Sequence, residues 1–189
     1  MIFMKKHIPN ILTFLRAFLT LVIIACFFLN FPGKFVLIFV LFLTATLTDF
    51  LDGFLARKWQ VESTFGNVFD SLFDKILTLS LYMMLIPYDI IHSSVFVALL
   101  FREIFVDGLK NYHLSKSKPV SPKISGKLKF IFQIIMIASM LATLIYPENV
   151  ILYYVVRLSA ALALFFAYLS AFFYTKDFFP VRSTEKASK

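Results

Sequence analysis

Cysteine, histidine and charge are all scarce in this chain. A single cysteine, Cys26, excludes an internal disulfide. Its place in an apolar run makes it a small packing residue rather than a redox group. Charged residues are 16% of the 189, against about 25% in soluble domains. So few polar residues exclude intrinsic disorder, a collagen-like repeat and a coiled coil. His7, His92 and His113 stand apart, and with no Cys or His cluster nothing points to zinc. No internal repeat is visible, which disfavours an inverted-repeat transporter. What the chain has instead is apolar surface: 60% of residues are hydrophobic, 25 of them Phe, and the mean hydropathy is +0.83. That is too apolar for a water-soluble globule, and the chain reads as an all-α integral membrane protein of one domain.

A hydrocarbon core of about 30 Å takes about 20 residues of helix to cross. Six stretches fit: about 11–31, 35–57, 66–87, 89–112, 124–146 and 149–174. Residues 1–10 read as a short amphipathic juxtamembrane segment, with Ile2, Phe3 and Met4 ahead of Lys5, Lys6 and His7. Residues 175–189 read as a basic tail. No cleavable signal is expected, because the first apolar run is too long, Arg16 interrupts it and no A-x-A site follows.

The net charge of +8 would suit nucleic acid in a soluble protein, but here the basic residues segregate by side. Lys5, Lys6, Arg57, Lys58, Lys110, Lys116, Lys118, Lys123, Lys176, Arg182, Lys186 and Lys189 share one side if the spans alternate, whereas the other has Lys34, Asp89 and Glu148. The rule that basic loops stay inside then puts both termini in the cytoplasm, facing anionic lipid, with no role for nucleic acid. Three Pro-containing turns, at 31–33, 86–88 and 146–148, fall on the poor side.

The acids are placed more oddly. Four of the eleven, Asp49, Asp52, Asp70 and Asp74, lie at the end of the second span and the start of the third. An aspartate at the bilayer centre costs ~2.5–3.5 kcal/mol, so four cost roughly 5–7 kcal/mol even at half that figure. The i,i+3 and i,i+4 spacings put each pair on one helix face, and the short connection makes the helices antiparallel neighbours. Carboxylates converging there cannot all stay ionised without cations. An all-oxygen site selects hard ions, Mg²⁺ or Mn²⁺, and one this size has room for two. Gly53, Ala56 and Gly66 leave room for a ligand or for a neighbouring helix, and Arg57 can bind phosphate oxygens in a fork.

Together these residues form D-x2-D-G-x2-A-R-x8-G-x3-D-x3-D, running from Asp49 to Asp74. The pattern resembles the signature of the CDP-alcohol phosphatidyltransferases, met at every fixed position. The resemblance implies a membrane enzyme that displaces CMP from a CDP-linked lipid by attack of a hydroxyl. It implies that Asp49, Asp52, Asp70 and Asp74 hold two divalent ions and that Asp74 is also the catalytic base. It puts Asp52, Gly53, Ala56, Arg57 and Gly66 around the CDP group, with Asn10 beside them. It also implies a homodimer, in a bacterial inner membrane with its active site on the cytoplasmic face.

The segment Ile8–Arg16, the run Arg102-Glu103-Ile104 and the run Gly126–Gln133 are similar to the phosphatidylglycerophosphate-forming branch of that family. This implies CDP-diacylglycerol and glycerol 3-phosphate as substrates, with Arg102, Lys110, Lys123, Lys127 and Arg157 as candidates for the acceptor phosphate. Ser71 and Phe73 depart from the branch's usual D-P-x-A-D-K, and Phe130 stands where a threonine is usual. Serine, inositol phosphate or phosphatidylglycerol therefore remain open as acceptors. A cation transporter would spread its acids through the membrane depth, and a scaffold would have no use for the ligand set.

Overall fold

The computed structural model describes residues 2–59, 64–115 and 124–178, with side chains described for most residues from 11 onward. Within them the chain forms six α-helices: α1 (Ile2–Phe28), α2 (Lys34–Trp59), α3 (Thr64–Leu85), α4 (Ser93–Ser115), α5 (Ile124–Ile145) and α6 (Val150–Phe178). The expected amphipathic segment is not a separate element, since α1 runs without a break from Ile2 through Pro9. The fourth helix starts later than expected, because Ile86–Tyr88 form a short 3₁₀ turn and Asp89 closes it with a left-handed φ of 52°. Asp is among the few residues that adopt that conformation readily.

Among the described residues four helices, α1, α2, α5 and α6, are long and apolar enough to cross a membrane. With 22 and 23 residues, α3 and α4 extend about 33–35 Å at 1.5 Å per residue. Their composition is broken by charge: Asp70, Asp74 and Lys75 in α3, and Arg102, Glu103, Asp107 and Lys110 in α4. All of them but Asp70, whose side chain lies outside the described set, take part in the contacts described below.

The packing inverts the soluble pattern. Large apolar side chains such as Phe18, Phe101, Phe165 and Phe172 point outward, while α6 presents Ala160, Ala163, Ala167 and Ala171 inward at helical spacing, all buried. Small residues let helix backbones approach closely where the surroundings are as apolar as the core, and α6 packs against both α4 and α5. Three buried hydroxyls bond to carbonyls of their own helix: Thr20 to Arg16, Thr143 to Ser139 and Ser159 to Val155, at 2.6–2.8 Å. They therefore bring no unmet polar demand into the interior.

The Pro-containing turns gather at one end. Phe35, just after the first turn, meets Tyr88 of the second edge to face at 5.4 Å. Phe31 and Gly33 share a pocket with Leu144 and Ile145 beside the third. Gly33 takes a φ of +77° there, a conformation that costs glycine little. The charged ends of α3, α4 and α5 lie at the opposite end of the bundle.

Candidate active site

At that end α1, α2 and α3 meet through one guanidinium. Arg16 of α1 is completely buried, and its Nη1 lies 2.8 Å from Asp49 Oδ1 of α2. The same nitrogen donates to Asp74 Oδ1 of α3. Asp49 and Asp74 are thus brought together, but not as expected: among the described residues α2 and α3 are not packed neighbours, and α1, which packs against both, bridges their acids through Arg16. Asp52 sits on α2 less than one turn after Asp49, and Asp70 sits on α3 about one turn before Asp74. Their side chains lie outside the described set, as do those of Asn10, Ala56, Arg57 and Gly66. Gly53 is half-buried on α2. Among the described residues no group of three or more ligand-type side chains is assembled.

Asp74 also stands at the edge of a cavity of ≈ 360 Å³ walled by α3, α4, α5 and α6. Among the described residues its cations are Lys75, Arg102, Lys110, Lys127 and Lys129, and its acids are Asp74 and Glu103. The five cations against two acids leave an excess of three positive charges. Thr78, Gln133 and Tyr174 supply neutral polar groups to the wall, and Phe130 and Ile131 an apolar patch.

These cations are held in different ways. Glu103 is buried between two of them: Lys129 Nζ donates to its Oε1, and Arg102 Nη1 lies 3.2 Å from its Oε2. Arg102 is anchored further, with Nε donating to the Ala167 carbonyl at 3.0 Å and Nη2 to Ser170 Oγ. Each guanidinium nitrogen of Arg102 is therefore engaged within the protein, which makes it a strut between α4 and α6. Lys75 pairs with Asp107, joining α3 to α4, and Lys110 Nζ lies 5.4 Å above the Tyr174 ring, within cation–π range. Lys127 is exposed at the mouth.

Of the residues expected at the acceptor phosphate, Arg102, Lys110 and Lys127 line this cavity, and Lys123 lies outside the described residues. Arg157 does not line it: it is exposed on α6, about 25 Å along the helix from Tyr174 at 1.5 Å per residue. Sequence reasoning gave no role to Arg16, Lys75, Glu103 or Asp107, and it grouped Lys129 with the basic residues of the Gly126–Gln133 run rather than with Glu103. The signal for Arg16 and Glu103 was present: an ionisable group inside a span needs a partner, and each has an opposite charge to meet.

A donor set made of carboxylate oxygens, two of them already converging on one cationic nitrogen, is the chemistry that hard divalent ions take. Comparison with known proteins defines the class. The model of the CDP-alcohol phosphatidyltransferases matches residues 6–172, and the chain belongs to that family, whose members generally use divalent metal ions. Its similarity runs to particular members as well. It is 38% identical over 98 residues to a CDP-diacylglycerol–glycerol-3-phosphate 3-phosphatidyltransferase of Mycoplasma pneumoniae, covering 52% of this chain and 43% of that protein. Proteins of the same name are 34% identical in Rickettsia typhi, over 68% of this chain and 72% of theirs, and 30% identical in Wigglesworthia glossinidia brevipalpis, over 88% and 92%. The chain thus spans less than half of the Mycoplasma protein's length and nearly all of the Wigglesworthia protein's.

Proposed function

We propose that the chain is a phosphatidylglycerophosphate synthase, transferring the phosphatidyl group of CDP-diacylglycerol to a hydroxyl of glycerol 3-phosphate and releasing CMP. The observation that carries this reading is the position of Asp74. It belongs to the carboxylate cluster and also stands at the edge of a cation-lined cavity. A hydroxyl held in that cavity by its own phosphate lies beside the group that must take its proton. The acceptor oxygen bonds to the phosphorus bearing the diacylglycerol, the bond from that phosphorus to the bridging oxygen breaks, and CMP leaves with the bridging oxygen. The hydroxyl proton goes to the Asp74 carboxylate.

Asp49, Asp52, Asp70 and Asp74 would hold two Mg²⁺ or Mn²⁺ ions, which draw off the charge that builds on the pyrophosphate oxygens. Asp52, Gly53, Ala56, Arg57 and Gly66 would line the CDP group, with Asn10 close by. For the acceptor phosphate, Lys110 and Lys127 fit best, because Arg102 and Lys129 are occupied with Glu103. Six spans are supported by the three Pro-containing turns at one end and the basic cluster at the other. By the basic-inside rule the cluster, both termini and the active site face the cytoplasm, in a bacterial inner membrane with anionic lipid. The outward aromatic surface is compatible with lipid and with a homodimer.

Phe130 in the cavity wall is the specific reason to test other acceptors. CMP release by the purified protein, with CDP-diacylglycerol, Mg²⁺ and each of glycerol 3-phosphate, serine, inositol phosphate and phosphatidylglycerol in turn, decides the matter. Release with glycerol 3-phosphate alone is expected. Release only with another acceptor would keep the chemistry and replace the substrate. Lys127→Ala should raise the KM for glycerol 3-phosphate about tenfold, the loss of one charge-assisted contact, and leave that for CDP-diacylglycerol nearly unchanged. Equal effects on both would remove Lys127 from the acceptor site.

A further inference from the structure

Arg16 lies inside an apolar helix with no exposure at all, yet its Nη1 is shared by carboxylates from two other helices. A guanidinium is tolerated in such a place only in the company of acids. The two Oδ1 atoms meet at one nitrogen, so they are separated by no more than two hydrogen bonds laid end to end. A cation shared by both carboxylates occupies such a point. The exposures differ in a telling way: the side chains of Asp49 and Asp74 are 19% and 23% exposed, and that of Arg16 is 0%. The arginine reaches the acids from the packed side, through α1, and an ion from solution reaches them from the open side.

We propose that Arg16 is a resident counter-cation of the carboxylate cluster. It holds Asp49 and Asp74 together before a divalent ion arrives, and it competes with the ion for them afterwards. Without such a charge, two acids forced into proximity, with Asp52 and Asp70 on the adjoining turns, repel one another and loosen the packing of α2 and α3 on α1. With it, the ligands are gathered in advance, but the ion meets a site whose negative charge is already partly matched, and this competition outweighs the gain from gathering. Arg16 is thus a positioning residue, acting on the metal site through its ligands. The inference rests on the metal-binding role given to these aspartates above.

The test is Mn²⁺ binding to the purified full-length protein in detergent, followed by the spin-resonance signal of the free ion. Arg16→Met should bind Mn²⁺ more tightly than wild type, on the order of tenfold, as expected when a competing partner of that strength is removed. Its melting temperature should fall in EDTA, and saturating Mn²⁺ should close much of that gap. Arg16→Lys keeps the charge and should stay near wild type in affinity. Unchanged or weaker Mn²⁺ binding by a folded Arg16→Met would overturn the proposal while leaving the metal site standing. Absence of Mn²⁺ binding by wild type would overturn the metal reading and the proposal with it. Should Arg16→Met not fold, the wild type still decides. The arginine side-chain ¹⁵N resonance that Arg16→Lys removes should shift as Mg²⁺ is added, and a resonance that stays fixed while Mg²⁺ binds would refute the exchange.

Discussion

Asp74→Asn should lower the rate of CMP release by at least about a hundredfold, the lower end of what a positioned general base contributes. The substitution keeps the size of the side chain and its ability to accept from Arg16, so α1 and α3 should stay joined. What it removes is the negative charge, and with it both the pull on a divalent ion and the capacity to take a proton from the incoming hydroxyl. Both losses act on the same step, so the fall should appear in kcat more than in the KM for CDP-diacylglycerol. Measuring both constants at saturating Mg²⁺ checks this. A variant that releases CMP at near the wild-type rate would take Asp74 out of the mechanism.

The second large effect concerns stability. Glu103 has Lys129 on one oxygen and Arg102 on the other, and all three are at least nine-tenths buried. Glu103→Gln leaves both cations in the interior with no acid, and breaking a buried pair in this way costs about 3–5 kcal/mol. For a chain of this size the melting temperature should fall by roughly 6–20 °C, at about 2–4 °C per kcal/mol. Adding Lys129→Met removes one stranded charge, and the double variant should regain much of the loss. Additive losses in that cycle would show that the two groups do not act as a pair.

Much of this architecture could be read from the chain because apolar length and the position of charge are local properties. The boundaries of α5 at Ile124 and Ile145 fall almost where the apolar run begins and ends. The approach of Asp49 and Asp74 could be expected for the same reason, as the spacing of the aspartates fixes a helix face without reference to the rest of the fold. The start of α4 at Ser93 was not legible. The apolar pattern continues from residue 89, and only the left-handed Asp89 after Pro87 shows that the helix has not yet begun. The partnerships of Arg16 and Glu103 were hidden for a different reason. They join residues 58 and 26 positions apart, and sequence spacing carries no information on which helices become neighbours. Arg157 was grouped with the acceptor cations by charge alone, and depth along α6 separates it from them.

The charge contacts divide the bundle in a way that bears on how it is made. Arg16 closes the charges of α1, α2 and α3 among themselves, and Glu103 does the same for α4, α5 and α6 through Lys129 and through the Arg102 contacts to Ala167 and Ser170. The pair Lys75–Asp107 crosses from one half to the other. Helices enter a membrane from the ribosome in chain order, N-terminal first. The first triplet can therefore settle its buried ions in lipid before the second has been synthesised. The first triplet is still unfinished at that stage, because α2 and α3 both pack against α5, and the cavity takes most of its described lining from α4, α5 and α6.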